Sequence, residues 1–130
     1  MSVFFSLAAV FAVGSSLYGV TELLFRGWTH WTMLILGGVC FVGMYLIKTR
    51  MAISEWRRWI LGGALITAAE FVTGVIVNIK LGWGIWDYGG HFLNFHGQIC
   101  PLFSLFWALL SIPGMRICGS LHSLLSRREQ

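Results

Sequence analysis

Charged residues are so sparse along this chain that they divide it into four long apolar stretches. From Ser2 to Phe25 no charge occurs before Glu22. The second stretch runs from Trp31 to Ile47 and ends at Lys48 and Arg50. The third runs from Trp59 to Ile79, interrupted only by Glu70 and Asn78. The fourth starts near Gln98 and continues to about Gly114, or through Pro113 as far as Leu121. About 20 apolar residues in a helix cross the hydrocarbon core of a bilayer. The pattern therefore predicts an all-α integral membrane bundle of four transmembrane helices, at about 2–25, 31–47, 59–79 and 98–121, in a single transmembrane domain. The first stretch lacks a basic leader and its apolar run is too long for a cleaved signal, so it is read as a retained helix. Pro101 suits the first turn of a helix. Pro113 predicts that the fourth helix either kinks there or stops and resumes at the interface.

Composition supports the same reading. The 130 residues are 57% apolar and 11% charged, against roughly 25% charged in a soluble domain. Seven Trp and ten Phe need a large core or lipid, and a chain this short has no large core. The net charge of +4 does not point to nucleic acid, because the basic residues do not gather on one solvated face. Lys48, Arg50, Arg57 and Arg58 lie between the second and third stretches, and Arg116, Arg127 and Arg128 follow the fourth where it ends at about Gly114. Only Arg26 and Lys80 fall in the other two connections. This bias predicts a multi-pass protein of the inner (cytoplasmic) membrane with both termini and the middle loop cytoplasmic. Trp28, Trp31, Trp56, Trp59 and Trp83 fall at span ends, where aromatic rings sit at headgroup level. Cys40, Cys100 and Cys118 are an odd number without CxxC spacing, so they read as small apolar helix residues.

The polar residues inside the apolar stretches are the candidates for function. Glu70 sits near the middle of the third span, where an ionised acid costs roughly 2.5–3.5 kcal/mol on insertion scales. It must face other helices, carry a proton, or hold a cation. Gly74 and Asn78 follow at four-residue steps, so the three form one stripe. The glycine allows a neighbour to approach and the polar residues to hydrogen-bond across the contact. The stripe is either a packing seam or a proton or cation site. Glu22 lies at the outer end of the first span, within reach of water. Ser15, Ser16 and Thr21 read as hydroxyls bonded within their own helix. His30 and His122 lie at interfaces and carry no signal.

Residues 81–97, LGWGIWDYGGHFLNFHG, carry five glycines among aromatics and the polar residues Asp87, Tyr88, His91, Asn94 and His96. The segment is too broken by glycine for a spanning helix and too aromatic for a free linker. It predicts an aromatic, glycine-rich outer cap between helices 3 and 4, lying on the headgroups or dipping inward as a re-entrant loop. Asp87 suits a structural cap within that loop or a hydrogen bond to the first span. Asp87, His91 and His96 include metal-ligand types, but no HxxxH or HxH pair is present. No metal and no other cofactor is implied.

Across nearly the whole length the chain resembles the ABC-transporter type IV (CmpB-like) membrane protein family. The resemblance rests on Gly19 and Glu22, on Glu70, Gly74 and Asn78, on Trp86, Asp87 and Tyr88, on Asn94, Gly97 and Ile99, and on Ser104 and Trp107. The stretch from Trp86 to Trp107 is its most specific part; Val20 and Gly89 depart from the usual Trp and Ser. The resemblance implies transport. No phosphate-binding P-loop is present in the chain, so any ATPase is a separate chain, and a coupling loop would have to be the short segment Lys48–Arg58.

Three readings follow. In the first, the protein is a transporter or permease-type subunit, a homo-oligomer or one paired with a partner membrane subunit. Glu70 is then the proton- or cation-coupling group, and Glu22, Asp87 and Asn94 form the outward mouth. In the second it is a membrane-embedded enzyme acting on a lipid or isoprenoid through carboxylate acid–base chemistry. In the third it is a noncatalytic membrane adaptor whose polar stripes only join helices.

Overall fold

The computed structural model describes residues 3–128 apart from Tyr88, His91 and Phe95, and for Phe25, Arg26 and Arg128 the backbone alone. Its helices are Val3–Arg26 (α1), Trp31–Arg50 (α2), Glu55–Gly74 (α3) and Pro101–Arg128 (α4), with α3 running on as a π-helical stretch, Val75–Lys80. All four are long and apolar enough to cross a membrane. Their outward faces carry Phe4, Leu24, Ile35, Ile60, Leu102 and Leu109, side chains that water would reject and acyl chains accept.

The connections have local causes. Gly27, at φ 79°, closes α1 with its N–H on the Leu23 carbonyl, the left-handed terminus that glycine adopts without steric cost. His30 then caps α2, its Nδ1 accepting the Thr32 N–H at 3.3 Å with the Thr32 hydroxyl 2.7 Å away. His30 thus has a structural task that its place in the sequence did not disclose. At the turn between α2 and α3, Glu55 accepts from Lys48 Nζ at 2.8 Å and from Arg58, whose Nη2 also donates to the Met51 carbonyl at 3.0 Å.

Small residues set the helix spacing, as they do where lipid supplies no hydrophobic drive between helices. Against α1, Gly37 receives the Tyr18 ring and Gly38 the Phe11 ring, while Gly14 of α1 receives Phe41 of α2. Between α3 and α4, a Cβ on Gly63 would lie 2.8 Å from Ala108 Cα and 3.0 Å from its N. α2 is the hub: it packs on the other three helices, whereas α1 scarcely touches α4. Met33, Leu36, Cys40, Phe41 and Met44 form its buried face. At one end of the bundle, Tyr45 of α2 meets His122 of α4 through a 2.9 Å hydrogen bond between Oη and Nδ1. Lys48 and Arg58 lie at this end, so the basic connection and the end of α4 share it.

Two features depart from the sequence pattern. α4 takes the longer of the two expected courses, continuing through Pro113, but ends at Arg128, seven residues past Leu121. Flanking residues hold both halves of the helix: Ser111, Met115 and Cys118 are all fully buried. A proline at membrane depth is tolerated where neighbours and hydroxyl groups re-satisfy the backbone. The second departure is the π-helical end of α3, where the Leu81 N–H reaches the Ile76 carbonyl at 3.0 Å and the Trp83 N–H reaches Val77 at 2.9 Å. Nothing in the apolar run Val75–Ile79 distinguishes a π turn from an α turn.

Because the atoms facing Gly63 are backbone, they cannot move aside. Gly63→Val is expected to lower stability by about 1–3 kcal/mol, the usual cost of overpacking, read as a lower midpoint of thermal unfolding in detergent micelles. Gly90→Ala, whose new methyl has no atom within 4 Å, should leave that midpoint unchanged.

Candidate functional site

The stripe Glu70, Gly74, Asn78 faces α4 and the segment leading into it. Glu70 is 3% exposed, and the Trp107 indole N–H donates to its Oε2 at 2.9 Å. One turn further, the Gln98 side chain lies across Gly74; a Cβ there would stand 3.0 Å from Gln98 Cβ. At the next turn Asn78 Nδ2 donates to Gln98 Oε1 at 2.8 Å, and Asn78 Oδ1 accepts the Ile85 N–H at 2.6 Å. The glycine therefore admits a side chain rather than a neighbouring backbone, and that side chain belongs to a residue ahead of α4.

Gln98 ties the loop to the bundle. Its Nε2 donates to the His96 carbonyl at 2.9 Å, and its own carbonyl accepts the Trp86 indole N–H at 3.1 Å. Ile85, Trp86, Gln98 and Cys100 are buried, while Phe92 and Leu93 are exposed. The loop is thus a cap with an anchored base and an apolar tip. Turns are fixed within it by Asp87, which accepts the Gly89 N–H at 2.8 Å, and by Asn94. The Asn94 Nδ2 donates to the Gly89 carbonyl at 3.1 Å, and its Oδ1 accepts the Gly97 N–H at 3.0 Å. A Cβ on Gly97 would lie 2.7 Å from Asp87 Oδ1, and φ there is +72°, so the fold requires glycine at that point. Leu93 and His96 also take positive φ, 53° and 54°, a conformation uncommon outside glycine.

On its other side Glu70 borders a cleft of about 230 Å³ lined by all four helices. α1 contributes Tyr18 and Thr21, α2 Cys40 and Met44, α3 Glu70, and α4 Trp107 and Pro113 among others. Tyr18 stacks on Trp107 with ring centroids 6.2 Å apart and planes 27° from parallel. The Thr21 hydroxyl is engaged with the Leu17 carbonyl at 2.8 Å. Among the described lining residues Glu70 is the sole carboxylate, in walls otherwise largely apolar.

Of the residues singled out from the sequence, Glu70 and Asn78 thus share one seam, and Asp87 and Asn94 share the cap above it. Glu22 is buried in α1 but is not among the residues lining the cleft. Asp87 is exposed and caps a turn, the first of the two roles its sequence context allowed. Tyr88 and His91 lie outside the described residues. Among the described residues no three His, Cys, Asp or Glu side chains gather as metal ligands. Ser16 and Thr21 bond carbonyls of their own helix as expected, but the Ser15 hydroxyl crosses to the Leu34 carbonyl of α2 at 2.6 Å. Sequence reasoning assigned no role to Gln98. Its one signal is a carboxamide standing just before the proline that opens an apolar helix.

The helices, their lipid-suited faces and the buried polar seam define a multi-pass α-helical membrane protein. The chain belongs to the family described as "Putative ABC-transporter type IV", whose model matches residues 3–128, making it an ABC-transporter-related membrane protein. No curated protein and no solved structure shows significant similarity to it.

Replacing Asn78 by Leu removes the acceptor of the Ile85 N–H and one partner of Gln98. The expected cost is about 1–3 kcal/mol for buried polar groups left unsatisfied. Amide hydrogen exchange should show faster exchange at Ile85 and across the cap, with α1 unchanged.

Proposed function

We propose that the protein is a small transporter or permease-type subunit in which Glu70 is the proton- or cation-coupling group. The observation that carries this reading is a nearly fully buried carboxylate, oriented by the Trp107 indole, at the wall of a cleft that every helix helps to line. A substrate site between helices near the midplane is a recurrent transporter arrangement, and intramembrane acids typically mark ion or substrate routes. Asp87 and Asn94 belong to a cap at the outward mouth, Asn78 lies on the seam beneath it, Tyr88 and His91 fall in the same loop by sequence, and Glu22 lies at the same end of α1. The chain is a single transmembrane domain in the cytoplasmic membrane, with the basic end of the bundle and both termini inside. Four helices, of which α1 rests mainly on α2, make a thin bundle, which favours a second copy or a partner membrane subunit beside it. An ATPase, where one takes part, is a separate chain.

Acid–base chemistry on a lipid or isoprenoid would use a pair of carboxylates, and the cleft wall offers Glu70 alone among the described residues. An adaptor role gives the cleft no purpose. Transport is therefore the preferred reading.

Proteoliposomes adsorbed on a solid-supported membrane should give a transient charge displacement on a pH or Na⁺ jump. Glu70→Gln is expected to abolish it while the protein still reconstitutes. A displacement of unchanged size in that variant removes Glu70 from the mechanism.

A further inference from the structure

The chemistry of the cleft wall narrows what can occupy it. A carboxylate in apolar surroundings is stabilised by a positive charge placed next to it, and the fewer waters compete, the larger the effect. The Tyr18 ring, which shares the cleft wall with Glu70, acts in the same direction. The electron-rich face of a phenol attracts cations, whereas Trp107 turns its N–H edge to Glu70 and stacks on Tyr18, so it orients the carboxylate rather than the cation. Most of the remaining wall is apolar: Leu36, Phe41, Met44, Ile66 and Leu110 suit hydrocarbon and offer little to a hydrated ion that must keep its waters. The volume, about 230 Å³, lies below the roughly 300–1,000 Å³ of sites for drug-sized molecules. Slight contact between α1 and α4 leaves one side of the cleft without close helix packing.

We propose that the cleft between the four helices binds a small lipophilic organic cation, an amine or quaternary ammonium with a compact apolar body, its charge on Glu70 and against the Tyr18 ring. The assignment rests on reading Glu70 as the coupling acid and names the class of ligand for that site. A proton and the organic cation compete for one carboxylate, so one enters as the other leaves and the charge in the cleft is conserved. Binding therefore weakens as pH falls. Cys40 lies on the same wall and reports occupancy by its access to a thiol reagent.

The test uses full-length protein in detergent micelles, with benzyltrimethylammonium as probe and its neutral isostere neopentylbenzene as control. Binding is followed by Trp fluorescence and by the rate of N-ethylmaleimide labelling at Cys40, in a Cys100→Ala/Cys118→Ala background. The cation should bind at least about tenfold more tightly than the isostere, the difference of one charge contact of about 1.4 kcal/mol, and should slow labelling. Lowering the pH should weaken cation binding and leave the isostere unaffected. Glu70→Gln should erase the preference, and Tyr18→Leu should reduce cation affinity roughly two- to fivefold, the weight of one cation–π contact. Equal binding of cation and isostere overturns the proposal and marks the cleft as a site for acyl chains. So does a preference that survives Glu70→Gln. Should that variant fail to fold, the wild-type comparison of the two probes still decides. Charge displacement without cation binding would refute the ligand class alone, whereas cation binding without displacement would refute the transport reading alone.

Discussion

A carboxylate enclosed by membrane helices is stable only if its neighbours replace the water it has lost, and the arrangement of α3 and α4 answers that requirement. Trp107 can donate to Glu70 only because the two helices come close together. They come close because Gly63 faces Ala108 backbone and Gly62 faces Ser111. Between the glycines and Glu70, the Thr67 hydroxyl lies 3.1 Å from that of Ser104, and the Ser111 hydroxyl returns to the Trp107 carbonyl at 3.0 Å. The polar groups of the interface thus pair along its whole length. Each of these hydroxyls has a partner on the same seam.

The same seam joins the cap to the membrane helices. Asn78 and Gln98 are the common members: each touches α3 or its π-helical end on one side and the loop on the other. A loop of five glycines would otherwise lose a large conformational entropy on ordering. Here a few directional bonds, from Trp86, Asn78 and Gln98, fix its base, while Asp87 and Asn94 shape its turns. The π-helical stretch contributes by turning Asn78 and the following backbone toward Ile85 and Trp83. Such stretches are frequent at functional sites, and this one stands between the buried acid and the loop.

Much of the fold was legible because lipid imposes one-dimensional rules. Span number and approximate length follow from thickness and polarity alone, and the stripe Glu70–Gly74–Asn78 follows from helical period. What the stripe would meet was not legible. Gln98 and Trp107 lie 20 and 37 residues away from their partners, and pairing at that separation depends on how helices are rotated about their axes. The course of the chain at Pro113 stayed open in the sequence for a related reason. The proline's local effect, a missing donor, is a property of sequence, whereas the buried contacts of Ser111, Met115 and Cys118 that hold the helix together belong to tertiary structure. The Ser15 hydroxyl, which leaves its own helix for the Leu34 carbonyl, is a third instance. The cleft was invisible because cavities come from imperfect packing among four helices, a quantity no single helix encodes.

The 28 residues of α4 extend about 42 Å at 1.5 Å per residue, some 12 Å more than the roughly 30 Å of hydrocarbon available. Tilt can absorb part of the excess, and the rest stands in the headgroups or beyond as a rigid post ending near Arg127. Pro113 lies about 21 Å from that end by the same rise, at the wall of the cleft. A flexure of only 10° at the proline would sweep the tip sideways by about 4 Å, a displacement comparable to the radius of a helix with its side chains. A lever of that length would magnify any bend at Pro113 between the buried acid and the membrane surface.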